Sequence, residues 1–499
     1  MDCYGRVIAV LVWACQGLGV AAWAADVDGM DRLYRHRVEV QSSRYLAVHL
    51  FNVAIDHGEA AKVENYAIIS PDDPRYDPAR RVRPRQGGSR ARTIRVPLRH
   101  DELTREAVLF LELPEPMLAG RHYGVAIRNV AKEIPELPPV LFDDGRTIND
   151  IIRVNQLGYP AADNLPRRAY VGQYMGSAGA MPLELGRFEL RDAATGEVAF
   201  AGKAERRAVN EPYVGQQVYE LDFGGFTTPG RYQLHVPGVG MSYPFSIGAG
   251  AINPAYVNVL VGNLHQRCAW AVPESLSRHH RDACHLDDAF LDKAVESLPF
   301  LKPKNPPLYP AAYDGRRQPA VRGHHDAGDY GKYTSNGAAY VANILTGFDL
   351  FPQRLNHDHL GMPTSENGIP DLVDEVKWEL DWLEHMQDVD GGVFGIIKPN
   401  NGGYEGSLPA VQAKRLFYPK DTIFTAAFAG ALAHAARSPV IRKHFPEDAE
   451  RYLEKAKDAW KWLQKNDRCV EYFHYGAVFG DWDERCWAAA SLYAVTGQE

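Results

Sequence analysis

The chain has 499 residues, 45% of them apolar and 24% charged, with 63 Asp+Glu against 55 Lys+Arg and a formal net charge of −8. That length and composition can fill several buried cores and exclude disorder as the main state. Without a global positive field, nucleic-acid binding by bulk charge is disfavoured.

After Arg6, residues 7–20 are almost uninterrupted apolar, and Ala22-Trp23-Ala24 offers the small-x-small pattern that signal peptidases accept. Residues 1–24 therefore read as a secretory signal, directing the chain to the periplasm or the exterior. A membrane anchor needs about 20 apolar residues, and this run is shorter and broken by Gln16 and two glycines. Cys15 offers lipoprotein anchoring as a minor alternative, with Trp13 a poor neighbour for it. No second run of this length occurs, so no membrane span is expected. Of six cysteines, Cys268, Cys284, Cys469 and Cys486 survive cleavage near Ala24, too few for a disulfide scaffold in a chain this long.

Residues 26–150 are expected to be β-rich. Leu46, Val48 and Leu50, then Tyr123, Val125 and Ile127, alternate with the period of strands buried on one face. Between them, Pro71 to Arg95 is rich in Pro, Gly and Arg, with seven arginines from Arg80 onward. Without interleaved aromatics, a solvated hairpin extension is favoured over an anion-binding loop. Residues 151–248 repeat the β pattern, with Tyr219, Leu221 and Phe223 before a Thr228-Pro229-Gly230 turn and Tyr232, Leu234 and Val236 after it. Short alternating runs punctuated by turns predict a β-sandwich, so two small β domains in series are expected.

From 250 to 499 the period turns helical. One face is marked by Val257, Leu260, Val261 and Leu264, a second by Val341, Ile344, Leu345 and Phe348, and a third by Leu372, Val376, Leu380, Leu383 and Met386. A fourth helix is Ala-rich around Phe424, Phe428 and Leu432, a fifth carries Leu453, Ala456, Trp460 and Leu463, and a sixth runs from Trp482 to Val495. Pro370 just inside one start and Asp390-Gly391-Gly392 after it bound the third helix. Helices of similar length on long loops favour an array or toroid over a four-helix bundle.

The long polar loop between the first two helices holds His324-His325-Asp326-Ala327-Gly328-Asp329-Tyr330-Gly331-Lys332-Tyr333. Asp326 and Asp329, three apart, aim the same way in a helical turn or a tight loop. One can hold a water while the other takes its proton. A pair of turn or capping aspartates fits the spacing equally well.

The segment from His325 to Tyr333 resembles the signature of glycoside hydrolase family 9, the cellulases and related β-glucanases. In order, Ile152-Arg153-Val154-Asn155-Gln156-Leu157-Gly158-Tyr159 resembles the opening of the immunoglobulin-like domain that precedes many of these modules. Gly368-Ile369-Pro370-Asp371-Leu372-Val373-Asp374-Glu375 with Trp378 and Trp382, Asp390-Gly391-Gly392-Val393, and Asp483-Glu484 with Trp487-Ala488-Ala489-Ala490 also fit. The resemblance covers Ile151 to the last residue and leaves 26–150 outside. It implies Ig-like β-sandwich domains followed by an all-α (α/α)6 toroid that hydrolyses β-1,4-glucan-type polysaccharides with inversion. Asp329 is then the general base and Asp326 helps bind the water, with the acid about 6.5–9.5 Å across the cleft. Tyr330 and Tyr333 can offer ring faces to sugars, although packing is the commoner role for such aromatics.

The resemblance also implies a structural zinc, since some members carry Cys, Cys-His and His in this order, here Cys268, Cys284-His285 and His325. Such a set is closed, with no position left for water. A Cys268–Cys284 disulfide is the rival reading. Cys469 and Cys486 are either buried thiols or a disulfide. Calcium occurs in some relatives, but no acidic loop specifies a site. The helices number about half of those in a complete barrel, and the glutamate acid and a late His/Arg substrate segment are not found before Glu499. A chain ending inside the barrel, with the acid beyond residue 499, is therefore expected. Glu484 lies in a mid-module segment and is not taken as the acid. The contrasting hypothesis is a non-catalytic exported carbohydrate-binding or adhesion protein with a degenerate or truncated helical half.

Overall fold

The computed structural model describes residues 35–95, 103–162, 165–251, 253–277, 279–297, 315–328, 330–399, 414–469 and 480–498. The expected signal segment with Cys15, and also Asp329, lie outside the described residues. Two compact units divide between Ala255 and Tyr256.

The first unit begins with β1 (Arg37–Ser42), β2 (Tyr45–Phe51), the short helix α1 (His57–Ala60), β3 (Tyr66–Ile69), β4 (Gln86–Arg95), β5 (Leu103–Glu112), β6 (Arg121–Ile127) and β7 (Val140–Phe142). These strands form an antiparallel β1-β2-β5-β4 sheet and a β3-β6-β7 sheet. Leu46, Val48, Leu50, Leu109 and Leu111 pack with Ile68, Tyr123 and Val125 in one core, as the alternation requires. The other face of the first sheet is not solvated. Tyr45, Ala47, Val108 and Phe110 enter the core of residues 151–247, so β2 is buried at every position. The two β regions, expected as domains in series, share apolar packing.

That second region comprises β8 (Ile152–Arg153), β9 (Arg168–Val171), β10 (Arg187–Asp192), β11 (Val198–Ala208), β12 (Val218–Asp222), β13 (Gly230–Val236), β14 (Gly240–Met241) and β15 (Phe245–Ile247). β11 pairs with β10 through its first half and with β12 through its second, passing from one sheet to the other. Tyr159 locks the middle. Its ring lies edge-on to Phe223 and Phe245 at 5.0 and 5.2 Å, while its hydroxyl donates to Arg168 O and accepts from Asn155 N–H.

The Arg-rich stretch is half strand rather than wholly a solvated extension, since β4 pairs with β5 from Gln86 to Arg95. Gly87, Gly88, Ser89 and Ala91 give it no apolar signature, and the small residues let another segment come close. A Cβ on Gly88 would meet Ala178 Cβ at 2.4 Å, and one on Gly176, at φ +62°, would meet Ser89 O at 2.1 Å. Gly176→Ala is therefore expected to cost about 2 kcal/mol or more through overpacking and left-handed strain. A urea midpoint equal to that of the wild type would refute this contact.

The second unit is helical: α2 (Asn253–Gln266, which starts just before the division), α3 (Thr334–Leu350), α4 (Pro352–Leu355), α5 (Asp371–His385), α6 (Thr422–Arg437), α7 (Pro439–His444), α8 (Pro446–Leu463) and α9 (Trp482–Thr496). The Ala-rich α6 is central, with 14 of its 16 residues buried, and it packs against α3, α8 and α9. Its small side chains permit the approach: the ring of Trp487 lies over Gly430, where a Cβ would sit 2.6 Å from it. Asp421 caps its start. A three-stranded sheet of β16 (Lys332–Tyr333), β17 (Ile396–Pro399) and β18 (Arg415–Phe417) joins the loops beside the helices.

Pro370 is the N-cap of α5 rather than its first residue, and the first turn carries Asp371 and Asp374. Burial raises the Asp374 carboxyl from 3.8 to about 6. The folded chain thus binds this proton more readily than the unfolded one, and stability falls as pH rises through about 6. Asp374→Asn is expected to stabilise by about 1–2 kcal/mol at pH 7.5, less what the helix dipole gains from the charge. Urea midpoints should show the advantage vanishing near pH 4; a gain that persists there would refute the assignment. No disulfide joins the four described cysteines: Cys469 is buried with its thiol 3.7 Å from Asp421 Oδ2, and Cys486 is exposed.

Candidate active-site loop and metal cluster

A short antiparallel bridge brings the end of α2 beside the signature loop. Arg267 pairs with His324, Cys268 N–H donates to Gly323 O at 2.8 Å, and His325 N–H donates to Gln266 O at 2.8 Å. Each side of this ladder sends one residue to a cluster of four buried side chains, Cys268, Cys284, His285 and His325. Cys268 Sγ lies 3.7 Å from His285 Nδ1, Cys284 Sγ lies 3.7 Å from His325 Nε2, and the two nitrogens are 3.2 Å apart.

The spacing can be tested against a tetrahedral ion. With Zn–S near 2.3 Å and Zn–N near 2.05 Å, the edges of the tetrahedron should be roughly 3.6 Å for S···N and 3.3 Å for N···N. The donor set fits. Its protonation suits a ligand role as well: burial lowers His325 to about 4, keeping the ring neutral. The Cys284 thiol is held at about 6, chiefly by its hydrogen bond with Cys268 and further by Arg281, against the cost of burial. Both thiols are free, so the disulfide reading of this pair is not realised.

Behind the cluster sits a fully buried ionic knot. Asp288 pairs with Lys332 at 2.8 Å and with Arg415 Nε at 3.0 Å, and Arg415 Nη1 lies 3.1 Å from His285 Nε2. Burial opposes the Asp288 charge, yet Lys332 and Arg415 hold its carboxyl below the usual range. Lys332 also donates to Ala320 O and Arg322 O. The other residues of the ladder form a second knot on α5. Glu375 accepts from Arg267 at 2.9 Å and lies 3.0 Å from His324 Nε2, while Glu379 is 2.7 Å from His324 Nδ1 and accepts from its backbone N–H. Burial disfavours a charged His324, but the hydrogen bonds and charges of the two glutamates outweigh it and raise the ring to about 9. Two cations and two anions thereby balance inside the fold.

His325 in the metal cluster and the buried Lys332 of β16 flank the described loop residues 326–328 and 330–331. Asp326 N–H donates to Gly331 O at 2.8 Å, closing the loop, and Tyr330 N–H donates to Ala327 O. Asp326 is exposed, and its carboxylate accepts from Asn336 Nδ2 in the first turn of α3 at 2.6 Å. Tyr330 adopts φ +52° and sets its ring 5.3 Å from that of His325. Tyr333 is only 7% exposed, with Lys398 Nζ over its ring, an arrangement that favours the packing role over a sugar contact.

The profile of glycosyl hydrolase family 9 matches residues 261–499, and that of the cellulase N-terminal Ig-like domain matches 149–241. The helical half of this chain belongs to family 9. Endoglucanase D of Acetivibrio thermocellus is 30% identical over 316 residues, 61% of this chain and 47% of that protein. A crystal structure of a metagenome-derived family 9 endoglucanase superposes with a TM-score of 0.58 at 31% identity, covering 70% of this chain and 61% of that one. A Zn-binding triple mutant of the family 9 endoglucanase J30 gives 0.52 at 28% identity, covering 67% and 60%. The chain spans about half the length of the curated relatives it matches. Its architecture is therefore an Ig-like β-sandwich followed by an (α/α)6-type module.

Sequence reasoning found the family 9 loop and the cluster but missed what braces them. Glu375 and Glu379 sit at i,i+4 on the buried face of α5, among Leu372, Val376 and Leu380, and charges in an apolar stripe are the signal that was available. Asp288 and Arg415, far apart in the chain, carried none. Among the described residues no helix is long and apolar enough to cross a membrane.

Proposed function

We propose that this family 9 chain serves an exported inverting glycoside hydrolase acting on β-1,4-glucan-type polysaccharides, cellulose or a related β-glucan. The observation that carries this reading is the placing of the residues on either side of Asp329: His325 in a buried metal-type cluster, Asp326 hydrogen-bonded to the first turn of α3 and Lys332 fully buried, within a family 9 module. A base works at low reorganisation cost where its chain neighbours are anchored, and His325 and Lys332 are both buried here. Asp329 takes the proton of the attacking water and Asp326, oriented by Asn336, helps hold that water. Tyr330 is the remaining candidate for a sugar contact. Glu484 is not assigned as the acid.

The four-residue cluster is proposed to hold one structural zinc. Such an ion would supply a cross-link between the end of α2, the 284–285 turn and the signature loop. Catalysis is left to the carboxylates. The signal-like residues 1–24 support export.

Inversion gives a direct test. Anomeric proton NMR during the first minutes of β-glucan hydrolysis by the full-length gene product should show the α-anomer accumulating before mutarotation. The β-anomer would refute the mechanism. Glucan retention without any release of reducing sugar would favour the non-catalytic binding protein.

A further inference from the structure

The first β region lies outside both family matches, and it carries a charge imbalance that its own packing does not use. Residues 78–95 contain seven arginines and no acidic residue. Two are engaged: Arg92 pairs with Glu106 on β5 at 2.6 Å, and Arg90 lies half-buried over the Phe110 ring. Four others, Arg80, Arg81, Arg83 and Arg85, are exposed. Among the described residues no carboxylate lies within ion-pair distance of these four. The nearest acids are engaged elsewhere, Asp77 in capping Ala79 N–H and Glu112 in bonding the Tyr45 hydroxyl. Arg80 itself donates to Pro74 O.

The backbone arrays the other three. Val82 bridges to Ile68 at the edge of β3, and Val82 and Pro84 turn inward while Arg81, Arg83 and Arg85 stay outside. Arg81 sits in the left-handed region at φ +49° and Arg85 in a bend just before β4, so the three cations follow one another as a row along no more than about 14 Å of chain. A row that does not converge suits a linear polymer better than a single small anion. Planar forks match carboxylates in pairs of parallel hydrogen bonds. Three cations at about 1 kcal/mol each hold weakly to an anionic membrane, and the segment from 80 to 86 has no exposed apolar side chain to add insertion to that attraction.

We infer that Arg81, Arg83 and Arg85 form a docking strip for a uronic-acid polysaccharide, holding the protein on an acidic glycan. This site is separate from the family 9 loop, and binding is measured without hydrolysis, so it stands or falls independently of the glucanase reading. The test uses the 499-residue chain and sodium polygalacturonate in affinity electrophoresis at low salt. Retention on polygalacturonate and none on neutral dextran is expected. Arg81→Gln/Arg83→Gln/Arg85→Gln should weaken binding by about tenfold or more and reduce the slope of log K against log salt by about two to three. The same triple change to Lys keeps the charge but loses the fork and should weaken binding by about threefold. A charge-matched control, Lys203→Gln/Arg206→Gln/Arg231→Gln on the Ig-like domain, should leave binding within about twofold of the wild type, with unchanged circular-dichroism melting in all variants. The inference is overturned if the wild type does not bind, if the control weakens binding equally, or if phosphatidylglycerol vesicles bind as tightly as polygalacturonate.

Discussion

Cys284→Ser is expected to release the bound metal and to lower the melting temperature of the helical unit by about 8–16 °C. The figure follows from linkage: an ion held a thousandfold above its Kd stabilises the native state by about 4 kcal/mol, and a unit of this size shifts by about 2–4 °C per kcal/mol. The loss should be this large because the four donors join three separated chain segments, the end of α2, residues 284–285 and the signature loop, into one buried knot. Elemental analysis of the purified chain should give one zinc per molecule, and the Ser variant none. Removing the ion from the wild type with a strong chelator should reproduce the melting shift. A metal-free wild type at full stability would refute the site, and a Cys268–Cys284 disulfide in its mass spectrum would restore the rival reading.

Asp329→Asn should reduce hydrolysis of a soluble β-glucan by about 10²–10⁴-fold, the usual worth of general-base help. That corresponds to roughly 3–5 kcal/mol of barrier. The full-length gene product is the protein to use. KM should change little, because the base acts in the transition state rather than in holding the sugar. Asp326→Asn should cost less, since the neighbouring base keeps its carboxylate and Asn can still accept a hydrogen bond from water. Retained turnover in the Asp329 variant, with zinc content and melting unchanged, would remove Asp329 from the mechanism.

Much of this was legible because periodicity records burial. Leu345, Val376, Leu380 and Phe428 fall on buried faces as their spacing requires. On α8 the buried stripe is Ala449, Tyr452, Ala456, Ala459, Trp462 and Leu463, so Trp460 and Leu453, read as central, are only partly covered. A 3.6-residue period allows that rotation, and small alanines under a close neighbour outcompete larger side chains for the interior. β4 was missed for the opposite reason: its inward residues are Gly, Ser and Ala, so a strand without apolar bulk reads as loop. The metal donors were legible as residue types in an order. Their bracing by Asp288, Lys332, Arg415, Glu375 and Glu379 was not, because ion pairs across 40 to 130 residues leave no local pattern.

The fully buried β2 has a consequence for how this protein can be cut and how it melts. A strand with one face in each of two cores makes them cooperative, so residues 35–247 should unfold in a single calorimetric transition rather than in two. An expression boundary placed at residue 149, where the recognised Ig-like segment begins, would strip Tyr45, Ala47, Val108 and Phe110 from that core and expose apolar surface. Sequence families draw a border there. Physically the border runs through the middle of a shared interior, and the first segment behaves as part of the Ig-like domain's own hydrophobic packing.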